Sequence, residues 1–160
     1  MLNLLLGAII VVLVIYALRR AGALGGGKAA DEQIADGERF LAGNKTREGV
    51  TETASGLQYE MLSKGTGERH PGPRTRVLVH YHGTLLNGTV FDSSVQRNEP
   101  IAFGLNQVIA GWTEGVQLMV EGDKTRFWIP SRLAYGNQRV GNIPPGSVLI
   151  FDVELLSIQD

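Results

Sequence analysis

The sequence predicts an α+β domain in which an antiparallel β-sheet wraps around one short α-helix, preceded by a single N-terminal transmembrane helix and a short linker helix. Three observations lead to this fold class. From about Thr53 onward the apolar residues recur with a period of two, as in half-buried strands. One later segment, around Trp112, has helical spacing instead. The run Leu2–Leu18 is almost wholly apolar.

The apolar N-terminal run is predicted to be an uncleaved transmembrane signal-anchor over residues 1–20. As a helix, Leu2–Leu18 is about 26 Å long, and the hydrocarbon layer of a bilayer is about 30 Å thick. Arg19 and Arg20 follow the run and can reach the headgroups. A cleaved signal peptide is an alternative, but no basic side chain precedes the run. A buried core helix is a second alternative, and the lack of a polar face argues against it.

The rest of the chain divides into a flexible linker at residues 21–30, a short helix with its connector at residues 31–52, and the main domain at residues 53–160. The linker contains three consecutive glycines. We predict a helix over Asp31–Asn44, with Asp31 as its N-cap and an apolar stripe near one face. The stripe is too short for a coiled coil, which favours a docking or spacer helix over a dimerising one, and a monomer over a dimer.

The main domain begins with strands. Leu57, Tyr59 and Met61 alternate with polar neighbours, which predicts a strand with these side chains on one face. Residues 76–86 carry the longest alternation. It places five residues on one face, namely Val77, Val79, Tyr81, Gly83 and Leu85.

A hairpin and three further strands follow. Asn87-Gly88 is typical of a two-residue hairpin turn, so Thr89–Asp92 is predicted to return as the partner strand. Further strands are predicted at Ile101–Phe103, Lys124–Pro130 and Val148–Ile158.

One helix and one loop complete the domain. Trp112, Val116 and Met119 recur at i, i+4 and i+7, which is typical of a short amphipathic helix lying on a sheet. Residues 135–145 form a loop rich in glycine and proline.

Composition and motifs exclude several classes of function. The 15 basic and 16 acidic residues leave no broad positive field, so no nucleic-acid partner is expected. The chain has no cysteine, which excludes disulfides, zinc thiolates and cysteine nucleophiles. The serines lack a nucleophile-elbow setting, and no phosphate-binding loop is present. His80 and His82 share a strand face and are the best metal candidates, but a third ligand at fixed spacing is missing. We therefore predict neither a metal nor a cofactor.

Five linked motifs carry a resemblance to a known family. They are Val79-His80-Tyr81-His82-Gly83-Thr84-Leu85; Gly88-Thr89-Val90-Phe91-Asp92-Ser93-Ser94; Val108-Ile109-Ala110-Gly111-Trp112-Thr113-Glu114-Gly115; Ile129-Pro130 before Ala134-Tyr135-Gly136; and Ile143-Pro144-Pro145 before Leu149-Ile150-Phe151-Asp152-Val153-Glu154-Leu155. In this order they resemble the FKBP-type peptidyl-prolyl cis/trans isomerases. The segment Ser55-Gly56-Leu57-Gln58-Tyr59 is similar to the bacterial branch that includes the macrophage infectivity potentiators. The resemblance covers roughly Gly56 to the C-terminus and implies an FKBP-like fold.

The resemblance also implies an aromatic-lined pocket with Trp112 as its floor and the backbone N–H of Ile109 as a donor to a substrate carbonyl. The residues implied as catalytic are Tyr81, Phe91, Asp92, Ile109, Trp112, Tyr135 and Phe151. Those implied as substrate-binding are Phe103, Val108, Ile143 and Ile101. Two positions depart from the family pattern, since Ile101 stands where many relatives have an aromatic residue, and Asn142 where an apolar residue is common.

The expected activity is acceleration of X–Pro bond rotation in protein substrates, with macrolide inhibitors as further ligands of the pocket. The alternative is a membrane-tethered binding module or chaperone that uses the same groove with little turnover. We expect a single-pass protein of the bacterial inner membrane. Arg19 and Arg20 favour a cytoplasmic domain under the positive-inside rule, whereas the resemblance to exported relatives favours the periplasm, so both sides remain open.

Overall fold

In the computed structural model, which describes residues 28–159, a seven-stranded antiparallel sheet packs against a short helix. The two helices are α1 (Lys28–Asn44) and α2 (Ala110–Val116). The strands are β1 (Thr51–Glu52), β2 (Gln58–Ser63), β3 (Arg76–Leu85), β4 (Val90–Ser93), β5 (Ile101–Gly104), β6 (Lys124–Ile129) and β7 (Leu149–Gln159). The predicted α+β class with an antiparallel sheet is therefore confirmed.

The strand order is β1-β2-β6-β7-β3-β4, and β5 pairs with β3 beside β4. β3 is central, because it pairs with β7 from Arg76–Gln159 to Leu85–Leu149 and with β5 and β4 along its other edge. Its side chains alternate strictly between buried and half-exposed from Val77 onward, as the period-two pattern predicts. The buried side chains of β3 consequently form a central part of the main core.

The main core lies between the sheet and α2. Trp112 and Val116 of α2 are buried among the inward side chains of the strands, and Met119 is buried just beyond the helix end. Two glycines allow this close approach, since a Cβ at Gly111 would lie 2.5 Å from Ile129 Cγ2, and one at Gly115 would lie 2.7 Å from Phe127 Cε1. The predicted helix at this position is confirmed.

α1 packs on the opposite face of the sheet. Leu41 forms a second, smaller apolar cluster with Trp128 and Val148. Gln58 of β2 is completely buried beneath the helix, where its Nε2 donates to the Leu41 carbonyl (2.8 Å) and its Oε1 accepts from Asn44 (2.8 Å). These contacts agree with a docking helix.

The start of α1 differs from the sequence prediction. The helix begins at Lys28, within the predicted linker at residues 21–30, so Asp31 lies in the first turn and is not the N-cap. A carboxylate in the first turn still stabilises the helix through its dipole, which explains why the same residue signalled a helix start.

The hairpin between β3 and β4 also differs. A two-residue type I′ turn requires positive φ at both central residues, and Asn98 is the only non-glycine residue with positive φ in the described part of the chain. Instead, Leu86, Asn87 and Gly88 form a three-residue loop, with Gly88 at φ 88°. The Gly88 N–H donates to the Leu85 carbonyl (3.0 Å), and the Leu85 N–H donates to the Thr89 carbonyl (2.9 Å). The predicted two-residue turn is therefore wrong.

The predicted apolar face of β2 is confirmed in part. Leu57 is buried and Tyr59 half-buried against the core, whereas Met61 is 45% exposed. The register of the pairing with β6 shifts between Met61 and Ser63, and the last residues of β2 are exposed beyond the edge of the core.

The predicted transmembrane segment at residues 1–20 and residues 21–27 of the predicted linker lie outside the described part of the chain. Within residues 28–159, neither helix combines the length and the apolar character that a membrane span requires.

Candidate active site

Trp112 lies at the centre of a cluster of aromatic rings. Its ring centroid is 5.3 Å from that of Tyr81, 5.7 Å from that of Phe103 and 5.3 Å from that of Phe151, and each of these pairs meets edge to face. Such geometry places the positive ring edge against the negative face and adds to the energy of burial. The indole N–H of Trp112 is buried and has no hydrogen-bond partner among the described residues. We call these four packed rings, Tyr81, Phe103, Trp112 and Phe151, the ring block.

Phe91 extends this block toward the surface. It lies on β4, half-buried, with its ring 5.3 Å from Phe151 at an interplanar angle of 87°. Gly83 of β3 makes room for both rings, since a Cβ there would lie 2.7 Å from Phe91 Cζ and 2.8 Å from Phe151 Cε1. The absence of a side chain at Gly83 thus sets the distance between β3 and the outer ring.

A small cavity of about 120 Å³ opens beside Phe91. It is lined by Phe91, Asp92, Tyr135, Val140, Gly141, Asn142 and Ile143. Pockets for drug-sized ligands occupy about 300–1,000 Å³, so this cavity matches a single side chain rather than a large molecule. Four of the predicted site residues therefore share one cavity.

The other predicted residues are placed behind or beside it. Tyr81, Phe103, Trp112 and Phe151 are at most 3% exposed and form the ring block behind the cavity wall. Val108 and Ile109 line a separate, open groove of about 710 Å³ together with Ala134. Ile101 is half-buried on β5, opposite Val79. The structure thus brings these residues into one region, although Trp112 does not line the cavity directly.

Ile109 immediately precedes α2. Its carbonyl accepts hydrogen bonds from the backbone N–H groups of Trp112 (3.0 Å) and Thr113 (3.1 Å), which begins the helix. The side chain is 2% exposed and belongs to the main core. Ile109 therefore belongs both to the lining of the open groove and to the core that contains Trp112.

Tyr81, Asp92 and Arg97 form a polar network at the edge of the ring block. The Tyr81 hydroxyl donates to Asp92 Oδ2 (2.5 Å), and Arg97 donates to Asp92 Oδ1 and to the Tyr81 hydroxyl oxygen (3.1 Å). The side chains of Arg97 and Asp92 are 16% and 7% exposed. Burial raises the pKa of the Tyr81 phenol, Asp92 raises it further and Arg97 opposes the rise, so the hydroxyl stays protonated at neutral pH.

Tyr135 is a second protonated hydroxyl, and it lines the cavity. Burial raises the pKa of its phenol, and the negative charge of Asp92 adds to the rise. The short helical turn Ser131–Leu133 precedes it, and the Gly136 N–H donates to the Ser131 carbonyl (2.8 Å). These contacts hold the tyrosine at the mouth of the 136–146 loop.

Sequence reasoning missed three residues of this region. Arg97 pairs with Asp92, and Val140 and Gly141 line the cavity. The sequence signal for the ion pair is only that Arg97 follows Asp92 by five positions. No local pattern marks Val140, because its role depends on how the loop folds back through its bridge to Ile143.

The two candidate metal ligands, His80 and His82, each form a hydrogen bond with a serine hydroxyl. His80 Nδ1 is 2.9 Å from Ser94 Oγ, and His82 Nδ1 is 2.8 Å from Ser93 Oγ. Among residues 28–159, no three His, Asp or Glu side chains are grouped to hold a metal ion.

Two family models match the chain. One is described as FKBP-type peptidyl-prolyl cis-trans isomerase and matches residues 67–156, more than half of the chain. The other is described as the domain amino terminal to FKBP-type peptidyl-prolyl isomerase and matches residues 17–61. The first range contains every predicted site residue.

Curated relatives agree with the bacterial branch. The chain is 56% identical over 132 residues to FKBP-type peptidyl-prolyl cis-trans isomerase FkpA of Aeromonas hydrophila, a match that covers 82% of this chain and 49% of that protein. It is 44% identical over 133 residues to outer membrane protein MIP of Legionella longbeachae, covering 82% and 57%. The chain thus spans about half the length of the curated relatives it matches.

Solved structures show the same architecture. The crystal structure of FkpA from Escherichia coli matches with a TM-score of 0.78 and 42% identity, over 82% of this chain and 62% of that one. The 1.6 Å crystal structure of a peptidyl-prolyl cis-trans isomerase from Pseudomonas syringae pv. tomato matches with a TM-score of 0.75 and 38% identity, over 87% and 100%. The chain has the FKBP-like fold and belongs to the FKBP-type peptidyl-prolyl cis-trans isomerase family.

Proposed function

We propose that the chain is a peptidyl-prolyl cis/trans isomerase that accelerates X–Pro bond rotation in polypeptide substrates and so assists protein folding. The observation that carries the proposal is the cavity beside Phe91, whose walls are mostly apolar and whose polar groups include a protonated tyrosine and a paired carboxylate. Rotation breaks no bond to a leaving group and needs no nucleophile. It must only overcome a barrier of about 18–20 kcal/mol, which takes tens of seconds or more without a catalyst.

The apolar wall acts by removing water from the prolyl bond. The planar imide is strongly dipolar through resonance, and water stabilises that dipole. The twisted transition state has lost much of it. A site lined by Phe91, Val140 and Ile143 therefore penalises the planar ground state more than the twisted state. Lowering the barrier by about 7 kcal/mol corresponds to an acceleration of about 10⁵-fold.

The two polar groups have different roles. Tyr135 is neutral, so its hydroxyl can donate to a substrate carbonyl and orient it without transferring a proton. Asp92 already accepts from Tyr81 and Arg97. We assign it to fixing the ring block and the cavity edge rather than to acid–base chemistry.

The test is the rate of cis-to-trans conversion of a succinyl-Ala-Leu-Pro-Phe-4-nitroanilide peptide. Wild-type protein accelerates the conversion, and both Trp112→Leu and Asp92→Val lower kcat/KM by about tenfold or more, because one removes the centre of the ring block and the other leaves Arg97 without its anion. Circular dichroism confirms that each variant is folded. A wild-type chain that gives no acceleration would reject the proposal.

The separate open groove that contains Val108 and Ile109 favours one alternative, a tethered binding module or chaperone with little turnover. The groove of about 710 Å³ is lined by Val108, Ile109 and Ala134 among others and offers room for an extended peptide. Peptide binding without acceleration in the same assay would select this alternative.

We also propose that residues 1–20 anchor the chain in the bacterial inner membrane as a single span. The support is the apolar run Leu2–Leu18 followed by Arg19 and Arg20. Retention in the membrane pellet after carbonate extraction tests the anchor. Protease added to intact spheroplasts then decides the side, since a periplasmic domain is digested and a cytoplasmic one is protected.

Macrolide inhibitors are proposed as ligands that insert one group into this cavity while the rest of the molecule stays outside it, and the chain is proposed to be a monomer. Competition between a macrolide and the nitroanilide peptide tests the first proposal. Sedimentation equilibrium tests the second, which rests on the shortness of the apolar stripe on α1.

A further inference from the structure

The cavity wall and α1 meet at one point of the chain. The 136–146 loop supplies the wall residues Val140, Gly141, Asn142 and Ile143. At its base the Gly146 N–H donates to the Gly136 carbonyl (2.8 Å), so the loop is closed on itself. Gly136 directly follows Tyr135. Any displacement of the loop base therefore reaches the wall and the tyrosine together.

Gly146 is one of the residues on which α1 packs. It has φ 78°, and a Cβ there would lie 2.8 Å from the Ala30 carbonyl oxygen and 2.8 Å from Ile34 Cγ1. Ala30 is only 3% exposed although it lies in the first turn of the helix. The loop base thus lies so close to α1 that no side chain fits between them.

α1 also packs on Val148, since Leu41 clusters with Val148 and a Cβ at Gly37 would lie 2.7 Å from Val148 Cγ2. A cleft of about 280 Å³ opens beside these contacts, with Ile34 and Glu38 on its helix side. Close-packed atoms transmit displacements. Ala30 and Ile34 are therefore one support of the loop base at Gly146, and the hydrogen bond from the Gly136 N–H to the Ser131 carbonyl is another.

The loop is stiff enough to carry this position to the wall. The N–H of Ile143 donates to the Val140 carbonyl (2.8 Å), and the N–H of Val140 donates to the Ile143 carbonyl (3.1 Å). Ser147 Oγ donates to the Pro144 carbonyl (2.6 Å). These bonds join the wall residues to the segment that α1 contacts.

We infer that Ala30 and Ile34 are positioning residues for isomerisation, which hold the 136–146 loop through Gly146 and so set where Val140 and Ile143 meet the prolyl ring. α1, which precedes the main domain, thus affects the substrate site indirectly, through the 136–146 loop. The catalytic part of this inference rests on the proposed function, whereas the structural part does not.

The test is Ile34→Ala in the full chain. Removing the side chain frees the loop base, so KM for the succinyl-Ala-Leu-Pro-Phe-4-nitroanilide peptide rises about threefold to tenfold while kcat changes less than about twofold. The δ1-methyl NMR signal of Ile143 shifts in the same variant, in the absence of substrate. Ile34→Leu restores both values toward wild type.

The matched control is Asn44→Ala, at the other end of α1. Asn44 is buried and donates to Gln58 (2.8 Å) on β2, far along the helix from Gly146. This variant lowers Tm but leaves KM and the Ile143 signal unchanged. The inference is overturned if Ile34→Ala leaves the Ile143 signal at its wild-type position, or if Asn44→Ala moves it equally. A wild-type chain without activity rejects the proposed function instead, and the Ile143 signal still decides the contact.

Discussion

The hydroxyl of Tyr81 donates to Oδ2 of Asp92 at 2.5 Å, across the pairing of β3 with β4. This hydrogen bond joins the ring block to the edge of the cavity, because Tyr81 packs on Trp112 and Asp92 lines the cavity. Arg97 completes the network with one bond to each partner. The charge of Asp92 is therefore neutralised within a largely buried environment, and its orientation is fixed from two sides.

Arg97→Met tests the pairing. It leaves Asp92 buried without its cation, so we expect the free energy of unfolding to fall by about 2–3 kcal/mol and kcat/KM to fall with it. Urea denaturation measures the first quantity. Arg76→Met, at an exposed position on β3, is the control and changes stability by less than about 0.5 kcal/mol. Asp92→Asn added to Arg97→Met recovers part of the loss, and strictly additive effects would contradict the pairing.

Gly83→Ala tests the spacing of the outer rings. The new Cβ would lie within 2.8 Å of both Phe91 and Phe151, so we expect a loss of about 1–3 kcal/mol and a lower kcat/KM. Gly43→Ala is the matched control, since it lies in α1 with open space around it and should stabilise the protein by about 0.5–1 kcal/mol. Thermal unfolding compares the two variants. Equal Tm changes of the same sign would refute the steric argument.

Stability at alkaline pH follows from the two buried tyrosines. The pKa values of Tyr81 and Tyr135 are raised by burial, so the folded state binds their protons more tightly than the unfolded state does. Their contribution is fully present below a pH of about 10, the ordinary tyrosine pKa, and is lost as the pH rises further. Urea titrations at a series of pH values should show a falling free energy of unfolding above this point. The double variant Tyr81→Phe, Tyr135→Phe should show a shallower fall, and an identical slope would contradict the assignment.

Gln58→Leu tests how α1 is attached to the sheet. Gln58 donates to the Leu41 carbonyl and to Glu52 (2.9 Å), and it accepts from Asn44. Leucine leaves the buried Leu41 carbonyl and the Asn44 amide without this partner, so we expect a loss of about 1–3 kcal/mol. Hydrogen exchange of the α1 amides should accelerate more than that of the β3 amides. Uniform acceleration along the chain would show that the attachment is not local.

The strands that carry the site are predictable from sequence because one of their faces meets the core. β3 and β7 bury alternate residues, and the same alternation is visible in the amino-acid sequence from Val77 to Leu85 and from Leu149 to Leu155. The ring block follows from this register, since Tyr81 and Phe151 both point inward. β6 is less regular, because α1 covers its outer face and buries Trp128 as well.

Other features depend on partners that are distant in sequence. Gln58 is a polar residue with 0% exposure, and its burial follows only from the docking of α1, whose Leu41 is 17 positions away. Arg97 lies five positions after Asp92 and 16 positions after Tyr81 in the sequence. The Asn87-Gly88 pair suits both a two-residue turn and a three-residue loop, and the register shift between Gly83 and Thr84 accompanies the longer one.

The outer strands of the sheet are short, with two residues in β1 and four each in β4 and β5. A long unpaired strand offers a row of free N–H and carbonyl groups to which another extended chain can add. Under the proposed function, the protein meets unfolded, extended polypeptides at every turnover. Its short edge strands offer such a substrate few free backbone groups to pair with, which disfavours aggregation of the protein with its substrates.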